Sequence, residues 1–246
     1  MKPLRLLLVA VILTGCATAG PPPPSAEPTP TPTARPLSKS AHWMGSSAEY
    51  QALVRQTFTL AGQRLREVVA DRDPGTWAVA LDADETVISN LGYERELARQ
   101  GEESTNELWD AWVARRAAPP LPGAIEFLQL IHDLGGYVAV VTNRVDEHCP
   151  DTEANFRAFD IPFDVILCRK EDRQKEPRWE MVQMGTASTR LPPLEIVIWI
   201  GDNIRDFPSL DQSDRLRGER AFVDFGTLYF AMPNPLYGSW EDNPQE

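Results

Sequence analysis

The side chains with the clearest chemical potential are Asp82 and Asp84, which directly follow the apolar residues 77–81. Side chains alternate along a strand, so two carboxylates spaced i and i+2 leave the end of that strand on one side. Carboxylates this close repel each other unless a divalent cation or a shared proton lies between them. One can then be ionised and nucleophilic while the other carries the proton that a leaving oxygen needs. The same pair is also common in ordinary turns, so its meaning depends on the segments downstream.

A second candidate segment is Thr142-Asn143-Arg144, which follows the apolar residues 137–141. A hydroxyl group and free backbone N–H groups at the end of a strand can hold phosphate oxygens, and the arginine adds positive charge. A threonine after a strand is also a frequent helix cap, so this segment is weak when taken by itself.

The third and fourth segments supply a cation and more carboxylates. The charged residues 169–178 include Lys170 and Lys175, and a lysine here can contact both a nucleophile and a phosphoryl oxygen in transfer. A solvated loop would have much the same composition. Asp202 and Asp206 follow a later apolar run and lie four residues apart across a turn. Both can face one cation, the second through a water molecule.

These segments need a scaffold that brings the ends of several strands together. Continuously apolar runs that alternate with amphipathic stretches predict an α/β fold, a doubly wound parallel sheet with helices on both faces. In such sheets, functional residues gather at the carboxyl ends of the strands. Strands are predicted at residues 77–81, 137–141, 165–167, 196–200, 221–223 and 229–232, and helical stretches at 47–69, 93–117, 124–133, 152–159 and 177–184.

The N-terminus has the pattern of an export signal. Lys2 and Arg5 precede the apolar residues 6–13, which are too few to span a bilayer. The run ends in Leu-Thr-Gly-Cys16, which resembles the lipobox of bacterial lipoproteins, with an ordinary cleaved signal as the alternative. In lipoproteins the cysteine is acylated, and by the same resemblance the absence of aspartate after it favours the outer membrane in a Gram-negative host. We expect a signal peptide at residues 1–15, a lipid-anchored Pro-rich linker at 16–41 and a globular domain at 42–246.

Charge and cysteine content narrow the classes of function. The formal net charge is −12 and no basic patch is evident, which argues against a nucleic-acid partner. An acidic protein that acts on a phosphate ester needs a metal ion and a few well-placed cations. Export leaves two states open for Cys149 and Cys168, a disulfide or two buried free thiols. His42, His132 and His148 lack a catalytic or ligand pattern, which argues against a histidine nucleophile.

Together, the four segments resemble the four motifs of the haloacid dehalogenase (HAD) superfamily, in order and with similar spacing. The agreement is closer with the class C (lipoprotein) acid phosphatases and extends over residues 43–241. The matching stretches are residues 43–50, 82–86, 109–113, 122–124, 141–144, 201–203, 221–224 and 232–240. Two departures follow the first motif: Ser89 stands where these enzymes often have aspartate, and Leu91-Gly92 replaces a common Ser-Pro. Both bear on substrate preference more than on catalysis.

This resemblance implies a HAD-like Rossmannoid core with a small, mostly helical cap at about residues 90–120. It further implies that Asp82 attacks phosphorus and that Asp84 protonates the leaving oxygen and then activates water. By the same resemblance, Thr142 and Lys175 bind the transferring phosphoryl group. Lys175 is preferred to the other lysine of its run because it stands three residues before an arginine, as the family lysine does.

The resemblance also implies a metal and an aromatic contact. One Mg²⁺, or another divalent ion, is expected on Asp82, the backbone carbonyl of Asp84, Asp202 and, through water, Asp206. The expected substrate contacts are Asn143, Arg144, Trp109, Trp112 and Tyr237, of which the aromatic residues would clamp a nucleobase or an aryl group. Packing of these aromatic residues into the core is the alternative.

The expected function is that of an exported, metal-dependent acid phosphatase. Its substrates would be nucleoside 5′-monophosphates, aryl phosphates or both, and its membrane contact would be the N-terminal lipid. The alternatives are a phosphotransferase on the same scaffold and a surface-binding lipoprotein with a vestigial site. The sequence leaves open the physiological substrate, the oligomeric state, the preferred metal and the pH optimum.

Overall fold

The computed structural model describes residues 33–245. The predicted signal peptide, Cys16 and most of the predicted linker lie outside this range, and helix α1 already begins at Lys39. The elements are α1 (Lys39–Ser46), α2 (Ala48–Val68), β1 (Trp77–Leu81), α3 (Leu91–Gln100), α4 (Asn106–Ala114), α5 (Ala124–Asp133), β2 (Tyr137–Val145), α6 (Cys149–Ala158), β3 (Val165–Arg169), α7 (Glu176–Gln183), β4 (Glu195–Gly201) and β5 (Tyr229–Ala231). No helix within residues 33–245 has the length and apolar character needed to cross a membrane.

The five strands of the described region form one parallel sheet in the order β3-β2-β1-β4-β5. Strand β1 is central and pairs with β2 on one side and β4 on the other. The chain thus winds outward in both directions from β1, and this confirms the predicted α/β fold. The carboxyl ends of β1, β2 and β4 meet at one edge of the sheet, so the residues that follow them are neighbours.

Each face of the sheet has its own apolar core. The face that carries Val79 and Val140 packs against α2, α5 and α6. The opposite face carries small side chains such as Ala78 and Ala80, and these make room for Trp179 of α7. Helices therefore cover both faces, as expected for continuously apolar parallel strands.

Some predicted elements differ from the structure. Residues 221–223 do not form a strand, because Glu219–Phe222 is a short 3₁₀ helix and Val223 is exposed. A short apolar run has no periodicity that separates these states. The predicted helical stretch 93–117 is two helices, since Gly101 ends α3 with a φ of 70°.

One disulfide and one ion pair connect outer elements of the fold. Cys149 at the start of α6 and Cys168 in β3 form a disulfide, with 5.8 Å between their Cα atoms. The alternative of two free thiols is thus excluded. Helices α3 and α4 lie in the stretch predicted as the cap, and Arg116, two residues after the end of α4, pairs with Asp151 of α6 at 2.7 Å.

Candidate active site

A cavity of about 480 Å³ lies at the edge of the sheet where β1, β2 and β4 end. Most of the predicted site residues line it: Asp82, Asp84, Asn143, Arg144, Lys175, Asp202, Asp206, Trp109 and Tyr237. Thr142 and Trp112 are not among its lining residues. The structure therefore brings together residues that are up to 155 positions apart along the chain, from Asp82 to Tyr237.

Three carboxylates form the floor of this cavity. One oxygen each from Asp82, Asp202 and Asp206 lies within 4.8 Å of the others. Burial raises the pKa of Asp82 to about 6 although Lys175 opposes the shift, and it raises the pKa of Asp202 well above its ordinary value. Three clustered carboxylates, of which Asp82 and Asp206 are buried, are unfavourable without a cation, and hard oxygen ligands suit Mg²⁺. The donor set therefore fits the expected ion.

Each of these carboxylates is held in place by its own partners. Asp202 accepts hydrogen bonds from Thr86 at 3.2 Å and from the Asn234 amide at 2.7 Å. Asp206 accepts from the backbone N–H of Asn203 at 2.9 Å, inside a short capping turn that follows β4. Asn234 belongs to the C-terminal segment and was not singled out by the sequence, where only its stretch was matched.

Lys175 joins two of the carboxylates. Its ammonium group lies 2.6 Å from Asp82 Oδ1 and 2.6 Å from Asp206 Oδ1, with 2% of the side chain exposed. Lys175 stands at the N-cap position of α7, so the start of that helix directs it into the cavity. Lys170 lines a different cavity, beside the disulfide. The geometry thus supports the choice of Lys175.

Arg144 is engaged by Asp84. Its Nη2 donates to Asp84 Oδ1 at 2.7 Å and its Nε lies 3.0 Å from Oδ2, while only 4% of the residue is exposed. The guanidinium also lies 5.5 Å from the centre of the Trp109 ring. The sequence assigned this arginine to the substrate, whereas its contacts here fix the carboxylate of the predicted general acid.

Thr142 lies within β2, which extends to Val145, four residues beyond the predicted end. The Thr142 hydroxyl accepts a hydrogen bond from the backbone N–H of Arg144 at 3.2 Å. The backbone carbonyl of Thr142 accepts a hydrogen bond from Arg178. The Arg178 guanidinium also donates to the Asn143 side chain at 2.8 Å and to the Gln174 carbonyl at 3.0 Å. Arg178 therefore ties the end of β2 to the loop that carries the lysine. Sequence reasoning used it only as a spacing marker.

A second buried network lies behind the predicted general acid. Glu85 is fully buried in a left-handed conformation (φ 50°), and burial raises its pKa to about 7. Its carboxylate accepts from the Tyr237 hydroxyl and from the Asn90 backbone N–H at 2.6 Å. Trp112 donates its indole N–H to Asn90 Oδ1 at 2.8 Å, which explains why it does not reach the cavity. Asn90 was not predicted.

Comparisons with known proteins agree with this geometry. The protein-family model described as HAD superfamily, subfamily IIIB (Acid phosphatase) matches residues 25–240. The structure of the class C acid phosphatase from Bacillus anthracis is similar, with a TM-score of 0.74, 27% identity, and coverage of 82% of this chain and 85% of that one. The same enzyme with tungstate bound gives a TM-score of 0.73, with the same identity and coverage.

A curated plant protein is also similar over part of its length. The stem 28 kDa glycoprotein of Glycine max is 29% identical over 154 residues, which are 63% of this chain. The aligned residues span 57% of that protein.

Proposed function

Because the chain belongs to the HAD superfamily, subfamily IIIB (acid phosphatase), we propose that its cavity hydrolyses phosphate monoesters through an aspartyl phosphate on Asp82. The observation that carries this proposal is the position of Asp82. Its carboxylate lies at the end of the central strand, 2.6 Å from the buried ammonium of Lys175 and beside Asp202 and Asp206. A buried carboxylate beside a fixed ammonium group is suited to attack an anionic phosphoryl group.

The proposed metal ligands are Asp82, the backbone carbonyl of Asp84, and Asp202. Bound Mg²⁺ would neutralise phosphate charge and orient the phosphoryl group. Both oxygens of Asp206 already have partners, one the Asn203 backbone and the other Lys175. This supports the expectation that Asp206 contacts the ion through a water molecule rather than directly.

In the first proposed step, an oxygen of Asp82 forms a bond to phosphorus while the bond from phosphorus to the leaving oxygen breaks. Asp84 gives its proton to that oxygen, so the product leaves as an alcohol. Lys175 stabilises the charge of the phosphoryl oxygens during transfer. In the second step, Asp84 takes a proton from water as the water oxygen attacks phosphorus, and Asp82 leaves as a carboxylate. The proton balance closes over the two steps.

The proposed substrates are nucleoside 5′-monophosphates, aryl phosphates or both. Trp109 and Tyr237 line the cavity together with the reacting carboxylates. Trp109 is half-buried and packs edge-on against Tyr93, with 5.4 Å between the ring centres. An aromatic ring that is fixed from behind can stack on a nucleobase or a phenyl group at small entropic cost. Turnover of adenosine 5′-monophosphate and glycerol phosphate by Trp109→Ala tests this, and equal losses on both substrates would contradict it.

We also propose that the protein is exported and anchored through Cys16 to the cell envelope, at the outer membrane. The support is the N-terminal sequence pattern alone. Metabolic labelling with a fatty acid should mark the full chain and not Cys16→Ser, and the variant should leave the membrane fraction. Labelling of both proteins would refute the lipid assignment.

The activity itself is tested with p-nitrophenyl phosphate and adenosine 5′-monophosphate. We expect turnover with Mg²⁺, loss with EDTA, and loss of about 10²-fold or more in Asp82→Asn, because the amide is a poor nucleophile. Tungstate, which is bound in the Bacillus anthracis structure, should inhibit competitively. A folded, metal-loaded protein without turnover would instead favour a binding lipoprotein.

A further inference from the structure

Asn90 is a buried amide directly before α3, with 1% of its surface exposed. Asparagine in this position commonly caps the helix with its side chain, but here the side chain makes no capping hydrogen bond. A fully buried amide must satisfy its polar atoms somewhere. The partners of this amide are therefore informative.

These partners set one orientation of the amide. Its Nδ2 donates to Asp84 Oδ1 at 2.7 Å and to Glu85 Oε2 at 3.0 Å. Its Oδ1 accepts from Trp112 Nε1 at 2.8 Å and from Arg144 Nη2 at 3.4 Å. Carboxylates only accept here, and the indole and guanidinium only donate. A flipped amide would place like groups against each other on both sides, so all four partners select the same rotamer.

The same contacts distinguish the two oxygens of Asp84. Oδ1 accepts from Asn90 at 2.7 Å and from Arg144 Nη2 at 2.7 Å, with Arg144 Nε at 3.1 Å. Among the described residues, Oδ2 has one hydrogen-bond donor, the Arg144 Nε at 3.0 Å. Asp84 lines the cavity, so the less engaged Oδ2 is the oxygen that can exchange a proton with a leaving group.

We infer that Asn90 and Trp112 are positioning residues that hold Asp84 for proton transfer through Oδ2; this rests on the proposed phosphatase activity. Trp112 belongs to cap helix α4 and is 6% exposed. It reaches Asp84 only through Asn90. Without the indole N–H, Asn90 Oδ1 keeps only the long contact from Arg144 among the donors within residues 33–245, and the amide is free to turn away from the carboxylate. A side chain of the cap thus acts on proton transfer without touching the substrate.

The test uses substituted phenyl phosphates that share one ring but differ in leaving group. Protonation by Asp84 matters most when the departing phenolate is basic, so kcat/KM is compared between p-nitrophenyl phosphate and phenyl phosphate. kcat/KM reports the steps up to departure of the phenol, including this proton transfer. We expect Trp112→Phe to lower kcat/KM about fivefold on phenyl phosphate, which corresponds to the loss of one hydrogen bond. The decrease on p-nitrophenyl phosphate should be smaller. Asn90→Ser should lose about 10²-fold on phenyl phosphate.

Glycerol phosphate adds a second criterion, because it lacks a ring and has a poor leaving group. If Trp112 acted as an aromatic clamp, Trp112→Phe would harm the phenyl esters more than glycerol phosphate. The inference requires the opposite order. The matched control is Trp77→Phe at the far end of β1; Trp77 is also buried, and its indole N–H has no partner in the described region. It should leave the relative rates on the three substrates unchanged.

The double variant Asn90→Ser/Trp112→Phe completes a cycle. If Trp112 acts through Asn90, adding Trp112→Phe to Asn90→Ser should not change the ratio of kcat/KM values between esters with different leaving groups. Equal losses on all esters in Trp112→Phe, with an unchanged melting temperature, would overturn the inference. A wild-type protein that hydrolyses none of these esters would overturn the proposed function instead. If Asn90→Ser does not fold, Trp112→Phe alone still decides.

Discussion

Replacement of Lys175 by methionine tests the electrostatics of the site most directly. The ammonium group lies 2.6 Å from carboxylate oxygens of both Asp82 and Asp206, and all three side chains are nearly buried. Methionine keeps most of the volume and removes the charge. Loss of one fixed charge at a phosphoryl-transfer site costs about 10²–10³ in kcat. We therefore expect a loss of that size on p-nitrophenyl phosphate.

The same change should also alter stability and metal affinity. Removal of one partner of a buried ion pair costs about 3–5 kcal/mol, which corresponds to a fall in Tm of roughly 10 °C for a chain of this size. Since burial already raises the pKa of Asp82 to about 6, protonation relieves this cost at pH 5, and the fall in Tm should be larger at pH 7.5. Mg²⁺ should bind about tenfold more tightly, because a repelling charge of roughly 1.4 kcal/mol has been removed.

Lys170→Met is the control, since Lys170 lines a separate cavity. It should leave kcat, Tm and the calorimetric affinity for Mg²⁺ close to those of the wild type. The reasoning would be refuted if Lys175→Met kept its kcat, or if Mg²⁺ bound this variant more weakly than the wild type.

Three further predictions concern the disulfide, the metal and the C-terminal segment. Cys149→Ala/Cys168→Ala opens a link of 19 residues, so chain entropy should lower stability by about 3 kcal/mol, measured by urea denaturation; no change would contradict this. Burial raises the pKa of Asp82 and Asp202, so in the metal-free protein these two groups contribute stability that is fully present below the ordinary carboxylate pKa, and the contribution of Asp82 is lost as pH rises through about 6. Mg²⁺ should therefore raise Tm more at pH 7.5 than at pH 5. Equal increases in Tm at the two pH values would argue against the raised carboxylate pKa values. Asn234→Ala frees one oxygen of Asp202 and should weaken calorimetric Mg²⁺ binding about tenfold; unchanged affinity would exclude a positioning role.

The carboxylate site could be predicted from the sequence because topology alone brings its members together. Asp82 and Asp202 each follow a continuously apolar run, and such runs identify buried parallel strands. The strands β1 and β4 that precede them are adjacent, so their carboxyl ends coincide. The position of Lys175 needed the family resemblance in addition, since a charged loop has no periodicity to follow.

The late part of the chain could not be predicted in the same way. Residues 221–223 are apolar, yet Phe222 and Val223 are exposed to 39% and 67%. Three residues are too few to show a period, so local sequence cannot separate a buried strand from an exposed turn. Asn234 poses a similar problem, because its role depends on Asp202, which is 32 residues away and approached by a loop.

Trp109 and Trp112 show where helical spacing stops being informative. Spacing of three residues places both on one side of α4, and the family resemblance implied a substrate contact for both, with packing into the core as the alternative. Spacing predicts the side of the helix on which a residue lies but not how deeply its side chain is buried. The burial of Trp112 is set by its hydrogen bond to Asn90. A buried amide oxygen without a donor costs about 1–3 kcal/mol, so the nearest indole N–H is committed to it. Trp112 meets that need at 2.8 Å, and Trp109, one turn earlier, is left to line the cavity. The division of roles follows from a hydrogen-bond requirement in a different segment, which no pattern within α4 reveals.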